Sequence, residues 1–115
     1  WAEYQRRTAS MDRADWQNGK QQVDEVEQAL VEAFNRGVKP GSEEANALAE
    51  RHRASLFFFE VTPAKHAILA RGYVEDARFK AHYEKLAPGL AEWLREVIFE
   101  NARAHGVNPE EATWG

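Results

Sequence analysis

Apolar positions along this chain recur at intervals of three, four and seven, the spacing of one face of an α-helix. Trp16, Val23, Val26, Leu30, Ala33 and Phe34 form the first such stripe. Asp12 is placed to cap it, with Asp15 three residues on in the capping-box position. Asp24, Glu25, Glu27 and Glu32 belong to its wet side. Gly37 supplies the stop and Pro40-Gly41 the turn. Ser42 followed by Glu43 and Glu44 opens a second helix, because carboxylates in the first turn complement the helix dipole. Its buried face reads Ala45, Leu48, Ala49, His52, Leu56 and Phe59. Thr62-Pro63 is the N-cap and first-turn proline of a third helix running through Ala67, Ile68 and Tyr73. Asp76 opens a short fourth helix with Phe79, Tyr83 and Leu86 on one side, and Pro88-Gly89 breaks it. A fifth helix carries Leu90, Trp93, Leu94, Val97, Ile98 and Ala102 and ends near His105-Gly106.

No segment alternates as a strand would. The pattern predicts an all-α fold, a compact bundle of about five helices, since connections of about five residues or fewer hold neighbours together. Residues 1–10 show no clear period and are expected to be a flexible N-terminal segment. Residues 11–106 form the helical domain, and 107–115 are expected to be a C-terminal tail.

At 115 residues the chain fits one domain. Its net charge of −4, with basic and acidic residues interleaved, argues against a dedicated nucleic-acid binder. No apolar run approaches the roughly 20 residues that span a bilayer, and no leader of the signal-peptide kind is evident. A cytoplasmic location is the expectation. Cysteine is absent, which removes disulfides, thiolate catalysis and cysteine metal sites from this chain. The first residue is Trp1, and the chain is expected to be cut from a longer polypeptide.

Little catalytic chemistry is on offer. His52, His66, His82 and His105 are spread over several helices without an i, i+4 pair, so neither a metal nor another cofactor is expected. The serines lack nucleophile-elbow glycines. Glu43-Glu44 and Glu110-Glu111 are adjacent and diverge by about 100° on a helix, which no acid/base couple tolerates. A non-enzymatic role is expected.

The aromatic content is the informative feature. Leu56-Phe57-Phe58-Phe59, continued as helix, would point large apolar side chains all round the axis. A fully buried phenylalanine contributes about 1.5–3 kcal/mol, a large share of a domain stability of ~5–15 kcal/mol. The expectation is an apolar ligand cleft between the second to fifth helices. Phe57, Phe58, Tyr73, Phe79, Tyr83 and Trp93 would make ring contacts and His66 a polar one. Trp1 and Tyr4 would ride on the N-terminal segment as a lid. The rival reading uses the same aromatic surface to meet a protein partner.

Four stretches bear on identity: Arg6-Arg7-Thr8-Ala9-Ser10 ahead of Asp15-Trp16; Gly37 to Ala45; Gly72-Tyr73-Val74-Glu75-Asp76-Ala77-Arg78-Phe79; and Pro88-Gly89-Leu90-Ala91-Glu92. In this order they resemble the TipAS antibiotic-recognition domain, the effector half of a class of MerR-type transcriptional activators. The resemblance implies a globin-like fold whose cleft binds thiopeptide macrocycles or other bulky apolar antibiotics. It also implies DNA contact only through an upstream winged helix-turn-helix, a dimerising coiled coil, and an indirect effect on RNA polymerase. Stand-alone relatives that sequester drugs are the alternative role. In the best-known type a cysteine adds covalently to a dehydroalanine of the drug, a step this chain has no thiol to perform.

Overall fold

The start and stop residues act largely as their chemistry dictates. The computed structural model describes residues 2–9, 13–56 and 61–112; of residues 3, 4, 7, 8, 13 and 14 it describes the backbone. Six helices form among the described residues: α1 (Ala2–Ala9), α2 (Arg13–Asn35), α3 (Glu43–Ser55), α4 (Pro63–Glu75), α5 (Ala77–Leu86) and α6 (Leu90–Ala104). The five helices predicted from the stripes are α2 to α6; α1 falls where no period was legible. Asp12 and its capping role lie outside the described residues.

Local chemistry sets most boundaries. The Ser42 hydroxyl oxygen accepts from the Ala45 amide at 3.2 Å, and Thr62 accepts from Lys65 at 3.2 Å with Pro63 in the first turn of α4. Asp76 accepts from the Arg78 amide at 2.9 Å. Such caps each contribute about 1 kcal/mol by satisfying an amide the helix leaves unpaired. Gly37 ends α2 at a φ of 77°. At the head of α6, Gly89 has a φ of 89° and no side chain to cap with. The Glu84 carboxylate reaches over from α5 instead, accepting from the Gly89 amide at 2.8 Å and the Ala91 amide at 3.3 Å.

One boundary departs from expectation. α3 stops at Ser55, so the helix predicted to run to Phe59 is shorter. The Ser55 hydroxyl donates to the His52 carbonyl at 2.6 Å, and the Leu56 amide turns back to Arg53. These bonds close α3 at Ser55. Phe57, Phe58 and Phe59 lie outside the described residues.

α6 organises the packing. Leu90, Leu94, Val97 and Ile98 are fully buried, and α2, α3, α4 and α5 all rest on this helix. α2 contributes Val26, Leu30 and Ala33; α4 contributes Ala67 and Ala70. Ala45 and Ala49 of α3 close against Val97. The segment read as a C-terminal tail is tied down as far as Ala112. Pro109 is fully buried, and the Arg71 guanidinium donates to the carbonyls of Glu110 and Ala112 at 3.0 and 2.9 Å.

Glu50 joins α3 to α6. Its carboxylate takes a two-pronged bond from Arg53 at 2.8 and 2.9 Å and one from the buried Asn101 amide at 2.9 Å. The Arg53 bond, against the opposing effect of burial and with help from Asn101, holds the carboxyl down at about 2. A folded value below the ordinary 4.5 means that Glu50 contributes stability above that pH, lost as pH falls from about 4.5 towards 2. The side chain is about a third exposed, so screening limits the contribution to about 1 kcal/mol. Glu50→Gln is therefore expected to cost about that much in urea unfolding at pH 7, and the difference from the parent should shrink as pH approaches 3. Leu94→Ala, which empties the fully buried centre of α6, is expected to cost about 2–5 kcal/mol at any pH.

Candidate functional site

The helices around α6 fall into two pairs. α2 packs on α3, and α4 packs on α5. Among the described residues, neither α3 with α4 nor α2 with α5 forms an extensive pairing. A seam therefore runs between the pairs, and rings bridge it. His52 from the last turn of α3 faces His66 from the start of α4, with Nδ1 2.9 Å from Nε2. The other His52 nitrogen, Nε2, lies 3.3 Å from the Tyr83 hydroxyl on α5. Tyr73 of α4 packs on Tyr83 with ring centroids 4.9 Å apart and stands edge-on to His52 at 5.8 Å. Phe79 touches Tyr73 at 5.9 Å and marks the open end of the cluster, with 49% of its surface exposed. Further along the seam, His82 donates from Nε2 to the buried Glu27 carboxylate at 2.6 Å.

Burial controls the protonation of this cluster. Desolvation pushes His52 down to about 4. Desolvation, followed by the charge of His52 and then of Arg53, pushes His66 down to about 2. The same burial drives Tyr73 up to about 12 and raises Tyr83, with each hydroxyl acting on the other. Both imidazoles and both phenols are thus neutral at pH 7. One imidazole N–H donates to the bare nitrogen of the other, and no buried charge is left unpaired here. The chemistry is that of a neutral aromatic wall, rigidly hydrogen-bonded behind and open at Phe79.

The structure brings together four of the sequence-selected residues and separates a fifth. His66, Tyr73, Tyr83 and Phe79 form the cluster just described. His66 is 1% exposed and bonded to His52, so its polar tip is spent inside the protein. Tyr73 and Tyr83 likewise fill the core, and of the predicted Phe79–Tyr83–Leu86 face only Tyr83 turns inward. Trp93 sits at the other side of the bundle, where its indole N–H donates to the Val38 carbonyl at 2.9 Å and its ring meets Phe34 edge-on at 5.6 Å. Phe57, Phe58 and Trp1 lie outside the described residues, and Tyr4 is on α1. The described grooves are lined by other groups. One of about 600 Å³ runs along α2 past Asp24, Glu27, Val31 and Glu32 to Leu86. Two further members of the seam, His52 and Glu27, were read from the sequence as a core histidine and a wet-side acid. Among the described residues no three histidines or carboxylates converge as a metal site would require. No helix is long and apolar enough to cross a membrane.

These features define a class: an all-α, globin-like domain with a central helix and a neutral, ring-lined seam. The sequence model of the TipAS antibiotic-recognition domain matches residues 1–101, and the chain belongs to that family. It is 33% identical over 101 residues to the HTH-type transcriptional activator TipA of Streptomyces coelicolor, covering 86% of this chain and 40% of that protein. It is 31% identical over 97 residues to the HTH-type transcriptional regulator SkgA of Caulobacter vibrioides, covering 82% of this chain and 38% of that protein. The chain thus spans about two fifths of these relatives. Among solved structures it is similar to TipAS of Streptomyces lividans in complex with nosiheptide, part of a thiopeptide antibiotic multidrug resistance system. That likeness has a TM-score of 0.83 and 30% identity, over 93% of this chain and 76% of the other.

The cluster's hydrogen bonds have unequal worth. Tyr83→Phe removes the hydroxyl facing His52 and leaves a buried imidazole nitrogen unpaired, at an expected cost of about 1–3 kcal/mol. Tyr73→Phe removes a hydroxyl but leaves the His52–Tyr83 contact in place and is expected to cost less. Urea unfolding of both variants at pH 7 checks the order; equal losses would mean that the His52–Tyr83 contact contributes nothing of its own.

Proposed function

We propose that this chain is the ligand-sensing effector domain of a MerR-type transcriptional activator and that it binds bulky apolar antibiotics, thiopeptide-like or more varied, without a covalent bond. The observation that supports this most is the likeness over 93% of the chain to a nosiheptide-bound TipAS structure. The relatives' transcriptional role favours a sensor over a stand-alone sequestering protein. The absence of cysteine favours non-covalent capture. Contact with DNA belongs to another domain of a homodimeric parent, and RNA polymerase responds indirectly to it. The site is not that of an enzyme, and the working compartment is the cytoplasm.

Within this reading the ligand meets the exposed face of Phe79 together with Phe57 and Phe58, and Tyr73 and Tyr83 form the wall behind. His66 and Trp93 act at a remove, His66 by holding His52 and Trp93 by fixing the Val38 turn. Trp1 and Tyr4 close over the bound molecule. An exposed ring contributes little to folding and much to a contact that covers it. A drug-sized guest that buries one ring gains about 1–3 kcal/mol from it, equivalent to a roughly tenfold to hundredfold change in affinity.

Phe79→Ala is accordingly expected to lose at least about tenfold in affinity for nosiheptide by calorimetry, with an unchanged unfolding midpoint. Phe58→Ala should behave alike. Intact mass after incubation should show no drug adduct. Parent-like affinity in both variants would remove this site, and no measurable nosiheptide binding by the parent would remove the thiopeptide class. On binding, the amides of residues 3–10 should gain hydrogen-exchange protection; unchanged exchange at saturating drug would dispose of the lid.

A further inference from the structure

α3 is held unevenly. Its first half is pinned by Ala45 and Ala49, both fully buried against Val97 with Val38 and Trp93 alongside. Its last turn is tied to the entry of α4 by Arg53, which donates to the Val61 carbonyl at 2.8 Å, and it reaches the rings of the α4–α5 pair through His52, by way of His66 and Tyr83. That link needs a specific protonation state. Two imidazole nitrogens 2.9 Å apart form a bond only if one of them is bare.

We propose that the His52–His66 pair is a proton-released latch: neutral, it clamps the last turn of α3 to α4 and α5; protonated, it lets that turn open while the rest of the bundle stays folded. The inference is independent of which ligand the domain takes.

The chemistry of two successive protons explains the release. A first proton, taken from solvent, occupies a bare imidazole nitrogen and can leave the His52–His66 bond in place, but it puts a cation in the interior. A second turns both facing nitrogens into donors and ends the bond. The surroundings do little to hold the cation. From α2, Glu27 is engaged by His82 of α5. From α3 itself, Glu50 is engaged by Arg53, and by Asn101 and the cap residue His105 at the end of α6. α4 presents Tyr73 and α5 presents Tyr83, both kept neutral by burial. Among the described residues, Glu27 and Glu50 are thus already committed.

The direction of the effect follows from linkage. Burial holds the two imidazoles at about 4 and about 2 in the closed form, below the ordinary 6.5. The closed form is therefore fully favoured above pH 6.5 and loses ground as pH falls towards 4. Each histidine freed on opening adds up to about tenfold per pH unit to the opening equilibrium, so the pair can approach about a hundredfold.

Hydrogen exchange of the full chain, corrected for intrinsic rates, between pH 7.5 and 4.5 tests this. Amides from His52 to Leu56 and from Lys65 to Ala67 are expected to open more than about tenfold per pH unit below pH 6.5, while those of Leu94–Ile98 hold their protection. His52→Gln should reduce the dependence to at most about tenfold per unit, and His82→Gln should leave it intact. Seam and α6 amides responding together would overturn the latch in favour of whole-domain unfolding. Loss of the pH response in His82→Gln would transfer it to the Glu27 pair. Should His52→Gln not fold, imidazole NMR of the parent decides: no titration of His52 or His66 above pH 5 is expected, and titration near 6.5 in a closed domain overturns the proposal.

Discussion

The structure depends on the burial of one helix over more than half its circumference. α6 hides residues at eight positions from Leu90 to Ala102, which at about 100° per residue sweep well beyond a single face. Such a helix cannot be served by one neighbour. It needs partners on several sides, and α2, α3, α4 and α5 all pack on it while α2 also pairs with α3 and α4 with α5. The seam runs where the two pairs meet over α6.

The seam is where apolar packing gives way to rings with polar tips. Placing two histidines and two tyrosines in the interior requires that each polar atom find a partner, since an unpaired one costs about 1–3 kcal/mol. The His66–His52–Tyr83 chain supplies partners to both His52 nitrogens, to Nε2 of His66 and to the Tyr83 hydroxyl without charge. It also makes the wall behind Phe79 stiff, because each ring is located by a directional bond as well as by contact. A recognition surface benefits from such a backing: an aromatic face that is already fixed loses little freedom when a guest arrives. The same chain makes the end of α3 answerable to the protonation of its own interior.

Helix placement was legible because its signals are local. Ser42, Thr62, Asp76 and Gly37 act on amides and angles within a few residues of themselves, so reading them requires no knowledge of the tertiary structure. The failures were of longer range. The stripe His52, Leu56, Phe59 kept helical spacing past the point where Ser55 turns its hydroxyl onto the His52 carbonyl and closes α3. Glu27 adjoins Val26 on the core edge of α2, yet its charge placed it in water; only the approach of α5, bringing His82, makes its burial tolerable. Trp93 follows the same logic, since its acceptor is a loop carbonyl 55 positions away. His66 lies beside the rings, but its partner is another histidine, a pairing set by how α3 and α4 cross. Proximity in sequence keeps Tyr73, Phe79 and Tyr83 together, and it does not say which of them faces inward.

The strap after α6 has a bearing on where this domain physically stops. The family's sequence model matches residues 1–101, but Pro109 is sealed from solvent and the Arg71 guanidinium of α4 grips two backbone oxygens beyond it. A guanidinium satisfied by main-chain carbonyls is indifferent to the side chains that pass through its grasp. The exposed positions of the strap can therefore vary while it stays fastened in the same way, provided the sealed proline is kept, so the end of the family match draws the edge of the folded unit too early.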